Sequence, residues 1–178
     1  GHAKGVADIS TLSTWASKQF DPALSWQDVE WVKKRWGGKL ILKGVLDAED
    51  ARHAASSGAD ALVVSNHGGR QLDGAASTIE SLPAIVDAVA GRMETWLDGG
   101  VRTGQDVLKA LALGASATLI GRPFLYGLGA GGQAGVRKCL ELLASELDLT
   151  MALCGRTDVR SLVSDILLPG SFPSTRPS

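Results

Sequence analysis

Ala61-Leu62-Val63-Val64-Ser65-Asn66-His67-Gly68-Gly69-Arg70-Gln71-Leu72-Asp73 runs an apolar stretch directly into a polar, glycine-rich one. Its first four residues are short, partly β-branched and bounded by turn formers, the pattern of a buried strand. The polar half sets an imidazole and a guanidinium three residues apart on a loop at the strand's C-terminal end. In parallel α/β folds that end of the strands is where ligands bind and chemistry is done. His67 can take a proton near neutral pH, and Arg70 presents a planar fork matched to a carboxylate. The pair points to proton abstraction from a substrate that carries a carboxylate. Gly68 and Gly69 let the backbone bend and keep bulk away from a ligand.

Outward from this loop the same alternation repeats. Upstream, Ser25 with Asp28 three residues on predicts a capped helix to about Trp36, with Trp26, Val29 and Val32 on one face. Lys39 to Lys43 reads as a strand, and Asp47 opens a helix over 48–56 that Gly58 stops. Downstream, a helix is expected over about 77–90 with Pro83 near its first turn, then a strand Thr95-Trp96-Leu97-Asp98. A helix over about 103–112 comes next, then a strand from Ala117 to Gly121, a glycine-rich loop after Arg122-Pro123, and a long helix over roughly 133–153. One helix between each pair of strands is the signature of βα units and a parallel sheet. A closed eight-stranded barrel needs about 250 residues. Four βα units therefore mean either a small open sheet or half of a barrel, and periodicity alone leaves both open.

Composition narrows the class. The chain has 178 residues, 44% hydrophobic and 21% charged, with a formal net charge of -1. That balance is ordinary for a globular domain and gives no electrostatic reason to expect nucleic acid as partner. Cys139 and Cys154 make no metal-ligand spacing, and both fall in a late helical pattern. Free thiols and a cytoplasmic setting are the expectation. No signal peptide and no run long enough to span a bilayer is visible. His2, His53 and the five tryptophans carry no array and read as packing or surface residues.

Each predicted strand ends in polar residues: Lys43, then Ser65-Asn66-His67, then Asp98-Gly99-Gly100-Val101-Arg102, then Gly121-Arg122. Four such ends on one side of a parallel sheet describe a site. The last two, each pairing glycine with arginine, have the makings of an anion cradle of the kind barrel folds build after their final strands. Lys43 beside a phosphate-anchored cofactor is a positive charge able to stabilise an anionic reduced ring.

Ile41-Leu42-Lys43-Gly44, Ser65 to Asp73, Asp98 to Arg102 and Gly121-Arg122, in that order and spacing, resemble the FMN-dependent L-2-hydroxy-acid oxidases and dehydrogenases. The resemblance runs from about Phe20 to about Leu168. The Gly-Gly form of the histidine loop and the match from Phe20 to Trp26 lean towards the lactate and mandelate dehydrogenase branch. It implies a fold, the C-terminal half of a (β/α)8 TIM barrel with about four βα units. Residues 1–24 would then belong to the loop after the fourth strand and 169–178 to a frayed tail. It also implies FMN as cofactor and oxidation of a 2-hydroxy acid to the 2-oxo acid. His67 would be the base, Arg70 the carboxylate clamp, and Lys43 the charge facing the flavin pyrimidine, with Ser65 also in contact. Asp98, Gly99, Gly100, Arg102, Gly121 and Arg122 would hold the ribityl chain and phosphate. Hydride transfer and prior proton removal both stay open.

The same resemblance carries further expectations. The family's first four βα units have no counterpart here, so the N-terminal half of the enzyme is an expected partner, as a separate chain cut in the long loop. The chain by itself is expected to be inactive. A homo-oligomer, a tetramer as in the family, is expected. Location is cytoplasmic, with peripheral contact at the inner membrane through the loop segment left open. The competing readings are a phosphate-binding barrel isomerase or synthase without flavin, and a non-catalytic subunit with a relict site.

Overall fold

The computed structural model describes residues 21–173. His2, Trp15, Phe20, most of the expected loop over 1–24 and residues 174–178 of the expected tail lie outside the described residues.

The chain opens with helix α1 (Trp26–Trp36). Ser25 caps it as expected: its hydroxyl and backbone N–H both bond the Asp28 carboxylate, at 2.7 and 2.8 Å, which holds Asp28 below the usual carboxylate range. Four βα steps come after it. Strands β1 (Ile41–Val45), β2 (Ala61–Ser65), β3 (Glu94–Asp98) and β4 (Ala117–Leu119) alternate with helices α2 (Ala48–Ser56), α3 (Thr78–Val89) and α4 (Gly104–Ala112). Helix α5 (Arg122–Leu153) closes the order, with short 3₁₀ turns after it. The strands form one sheet in the order β1-β2-β3-β4, and every pairing is parallel.

Side-chain alternation divides the sheet into two faces. Leu62, Val64 and Leu97 point to the helices and are at most 2% exposed. They form the core with Ala51 and Ala54 of α2, Leu82, Ile85 and Val89 of α3, and Ala110 of α4. Truncating Leu82 or Ile85, both fully buried, would cost about 2–5 kcal/mol. The register places Lys43 beside Val63, Ser65 beside Asp98, and Asp98 beside Leu119, so Lys43, Ser65, Asp98 and Leu119 share the opposite face. Three of the four expected polar strand ends are thus aimed from one side of the sheet.

Several element boundaries differ from expectation. The first strand starts two residues later than Lys39 and extends past Lys43. The Asp60 carboxylate takes the Leu40 N–H at 2.9 Å, so that amide is satisfied before the ladder begins. A register shift between Lys43 and Val45 lets the strand continue to Val45. The fourth strand ends at Leu119, short of Gly121. Pro83 sits in the second turn of α3 rather than near its first.

The largest correction concerns the glycine-rich segment after Arg122-Pro123. It is helix, not loop. Pro123 falls in the first turn, where its missing N–H costs nothing. The helix breaks only at Gly131 and Gly132, so its two arms fold back on each other. Gly127 and Gly135 meet where the arms are closest: a Cβ on Gly127 would lie 2.6 Å from the Gly135 carbonyl oxygen. Glycine here serves close backbone approach, a tertiary requirement that composition reads as a loop.

Candidate functional site

The site lies at the C-terminal ends of the four strands and is organised by Ser65, a hydroxyl only 2% exposed. Ser65 Oγ accepts from Lys43 Nζ at 2.9 Å and from the His67 N–H at 3.0 Å, and donates to Asp98 Oδ2 at 2.6 Å. A hydroxyl has one proton to give and two lone pairs, so this one is fully committed. Lys43 Nζ completes the triangle with Asp98 Oδ2 at 2.7 Å. Burial raises the Asp98 pKa, but hydrogen bonds from Lys43 and Ser65, with the charges of Lys43 and His67, outweigh it and hold the carboxyl below its ordinary range. Asp98 is therefore an ionised partner that fixes the lysine ammonium in place.

The histidine loop leaves β2 through a 3₁₀ turn (His67–Gly69). His67 itself has a positive φ of 56°, a conformation rare for any residue but glycine. Asn66 caps the turn by accepting the Gly68 N–H on Oδ1 at 3.0 Å. From the far side, Arg122 Nη2 donates to the Gly68 carbonyl at 2.9 Å. Asp106 receives the N–H groups of Arg102 and Thr103 at 3.0 and 2.9 Å, and the Thr103 hydroxyl accepts in return from the Asp106 N–H, so a reciprocal cap at the start of α4 sets the Arg102 loop.

A cavity of about 320 Å³ opens among these loops. Lys43, His67, Arg70, Asp98, Gly99, Gly100, Arg102, Gly121 and Arg122 all line it. Ser65 does not; it stands behind the rim and orients what does. Four cations face one carboxylate that is already paired, so the cavity is suited to an anion. Among the described residues no ion pair engages Arg70, Arg102 or Arg122. A Cβ added at Gly100 or Gly121 would meet no atom within 4 Å, which leaves backbone open for a ligand to approach. Cation excess and bare backbone together fit a phosphate-bearing cofactor. Among the described residues no cluster of metal-ligating side chains is found. Cys139 lies within α5 and Cys154 at its end, both as free thiols. Trp26 stacks on His53 with ring centroids 5.6 Å apart, a packing role for both.

The sequence did not single out Asn66 and Thr78 for any role. Thr78, 3% exposed at the start of α3, donates its hydroxyl to the Gly99 carbonyl at 3.2 Å. The Asn66 cap on Gly68 is local, whereas the Asn66 bond to Ala76 and the Thr78 bond to Gly99 depend on which loop the fold sets beside each.

A family model described as FMN-dependent dehydrogenase matches residues 2–169. The chain belongs to the FMN-dependent dehydrogenase family. An L-lactate dehydrogenase of Ectopseudomonas mendocina is 47% identical over 168 residues, covering 94% of this chain and 44% of that protein. One from Vibrio cholerae is 50% identical over 154 residues, covering 86% of the chain and 41% of that protein. Among solved structures, mandelate oxidase with (S)-4-hydroxymandelic acid superposes with a TM-score of 0.80 at 52% identity, over 85% of this chain and 42% of that one. A mandelate oxidase variant with a monooxide FMN adduct gives 0.74 at 54% identity, over 76% and 43%. This family member spans less than half the length of these relatives. Its parallel four-stranded sheet with flanking helices corresponds to part of their barrel.

Proposed function

We propose that this chain is the cofactor-holding and proton-transferring half of an FMN-dependent enzyme that oxidises an L-2-hydroxy acid to the 2-oxo acid. The observation that carries the reading is the convergence of His67, Arg70 and the Lys43–Asp98 pair on one cation-rich cavity. His67 takes the proton from the α-hydroxyl or α-carbon. Arg70 holds the substrate carboxylate through two parallel hydrogen bonds. Lys43, pinned by Asp98 and Ser65, presents a fixed positive charge where negative charge develops, and no reorganisation is needed at the moment of reaction. Arg102 and Arg122, with the backbone of Gly99, Gly100 and Gly121, would hold the phosphate and ribityl chain of FMN. When bound, the flavin supplies the electron acceptor. Lactate and mandelate are the substrates suggested by the named relatives.

Residues 1–178 act in this reading as one C-terminal half-barrel. Among the described residues the outer edges of β1 and β4 have no pairing strand, and exposed sheet edges invite pairing with further strands. The partner that closes the barrel is the N-terminal half of the same enzyme, and the completed enzyme assembles as a homo-oligomer. The setting is cytoplasmic, with peripheral contact at the inner membrane through the loop segment. No described helix is long and apolar enough to cross a membrane.

Intact mass and an absorbance spectrum on one purified sample test the proposal. A companion fragment with flavin absorbance near roughly 450 nm, and turnover of lactate or mandelate, is the expected result. A reassembled barrel that binds sugar phosphates but no flavin would overturn it.

A further inference from the structure

His67 holds its positive φ because the backbone around it is tied on several sides. Its own N–H goes to Ser65 Oγ, the Gly68 N–H to Asn66 Oδ1 and the Gly69 N–H to the Asn66 carbonyl, each at 3.0 Å. A disfavoured conformation persists only where its surroundings over-determine it. The other end of the Asn66 amide donates to the Ala76 carbonyl at 3.3 Å, just ahead of α3. The first residue of α3, Thr78, in turn donates to the Gly99 carbonyl at 3.2 Å. Gly99 backs closely on both: a Cβ there would lie 3.0 Å from Asn66 Oδ1 and 3.3 Å from the Thr78 side chain. The start of α3 is therefore gripped by the histidine loop and itself grips the glycine-arginine loop after β3.

We propose that Asn66 and Thr78 are positioning residues that lock the His67 loop and the Gly99 loop into one rigid unit. They set the imidazole relative to the cavity's cations without touching substrate or cofactor. The role rests on the reading of His67 as proton acceptor, since a displaced base is what the lock prevents. Thr78 does not bond Gly68, so an effect of residue 78 on that amide that the core amides do not share passes through the lock.

Amide exchange in the 178-residue chain, read residue by residue, tests this without flavin or substrate. Thr78→Val keeps the shape and removes the donor; Thr78→Ser keeps the donor. The expected result is exchange at Gly68 faster by about tenfold in Thr78→Val and restored to within about twofold by Thr78→Ser, with core amides of β2 unchanged. Asn66→Ala gives the reciprocal reading, faster exchange at the Arg102 amide across the same junction. Unchanged Gly68 exchange in a folded Thr78→Val chain, or equal acceleration of every slow amide, would overturn the lock. If Thr78→Val does not fold, Asn66→Ala decides: an unmoved Arg102 amide overturns the lock equally. In the enzyme reassembled with its other half, Thr78→Val should lower kcat about tenfold with KM within about twofold, and Thr78→Ser should recover it. A rise in KM at unchanged kcat would speak against positioning. Because the exchange experiment is indifferent to the reaction, loss of the functional reading and loss of the lock give different results.

Discussion

Two lysine–aspartate clusters stand at opposite ends of the same sheet, and they are used differently. Below the strands, the Asp60 carboxylate takes Lys33, Lys39 at 2.7 Å and the Leu40 N–H at 2.9 Å. Hydrogen bonds from the two lysines drive its pKa far below the ordinary value. Lys33 also reaches the Gly38 carbonyl. This cluster staples the end of α1 to the approaches of β1 and β2, and all its partners are scaffold. Above the strands, Asp98 is pulled both ways, raised by burial and lowered by Lys43 and Ser65. The ammonium there has three protons, two of them given to Asp98 and Ser65, and it lines the cavity. The lower cluster is closed on itself, whereas the upper one borders the cavity and, in the proposed reading, faces a ligand there.

Replacements at the two ends separate these roles. His67→Ala, in the reassembled enzyme, should lower turnover by about 10²–10⁴-fold with little change in thermal midpoint. Asp60→Asn should do the reverse, lowering the midpoint with turnover per folded molecule preserved. Comparable loss of turnover in Asp60→Asn would break the contrast. Lys43→Met should lower turnover by about 10²-fold and let the Asp98 carboxyl titrate at higher pH, which a carboxyl carbon NMR titration reads directly.

A change that leaves both clusters chemically intact sharpens the comparison. Gly135→Ala puts a methyl onto the Gly127 carbonyl. It should cost about 3 kcal/mol as overpacking, seen as a lower denaturation midpoint.

The smallest effect is the acid limb. Asp60 and Asp98 both have folded pKa values below those of an unfolded chain. Each therefore stabilises the fold above the ordinary carboxylate pKa of about 3.9 and loses that contribution progressively as pH falls below it. Asp60→Asn should flatten the stability–pH curve below about pH 4. An unchanged slope there would show that the lower cluster is not linked to folding.

The sequence made legible what is encoded within a few residues. The Ser25–Asp28 box, the Asp47 cap and the strand running into Ser65-Asn66-His67 are local patterns, and the structure has them. The grouping of nine of the ten candidate residues around one cavity was legible too, because strand ends in a parallel sheet converge. What stayed hidden depends on distant partners. Lys33 and Lys39 meet Asp60 across more than twenty residues of chain. The Ser65 hydroxyl is held by three protein groups, two of them on neighbouring strands, and those partners are not written in its own stretch of sequence. The helical segment after Arg122 reads as loop because it is rich in glycine, and two of those glycines, Gly127 and Gly135, are there for a neighbour that only the folded hairpin supplies.

That hairpin also bears on how the sequence can drift over evolutionary time. Every replacement of glycine adds at least a Cβ, and at Gly127 and Gly135 the added atom falls on the backbone of the opposite arm. No flexible side chain stands there to move aside. A saturation library scored for folded protein should show both positions almost intolerant, while Gly129, with nothing within 4 Å of an added Cβ, accepts alanine and serine. Two neighbouring glycines in one helix arm would then record opposite histories, one pinned by its counterpart across the turn and the other free to vary.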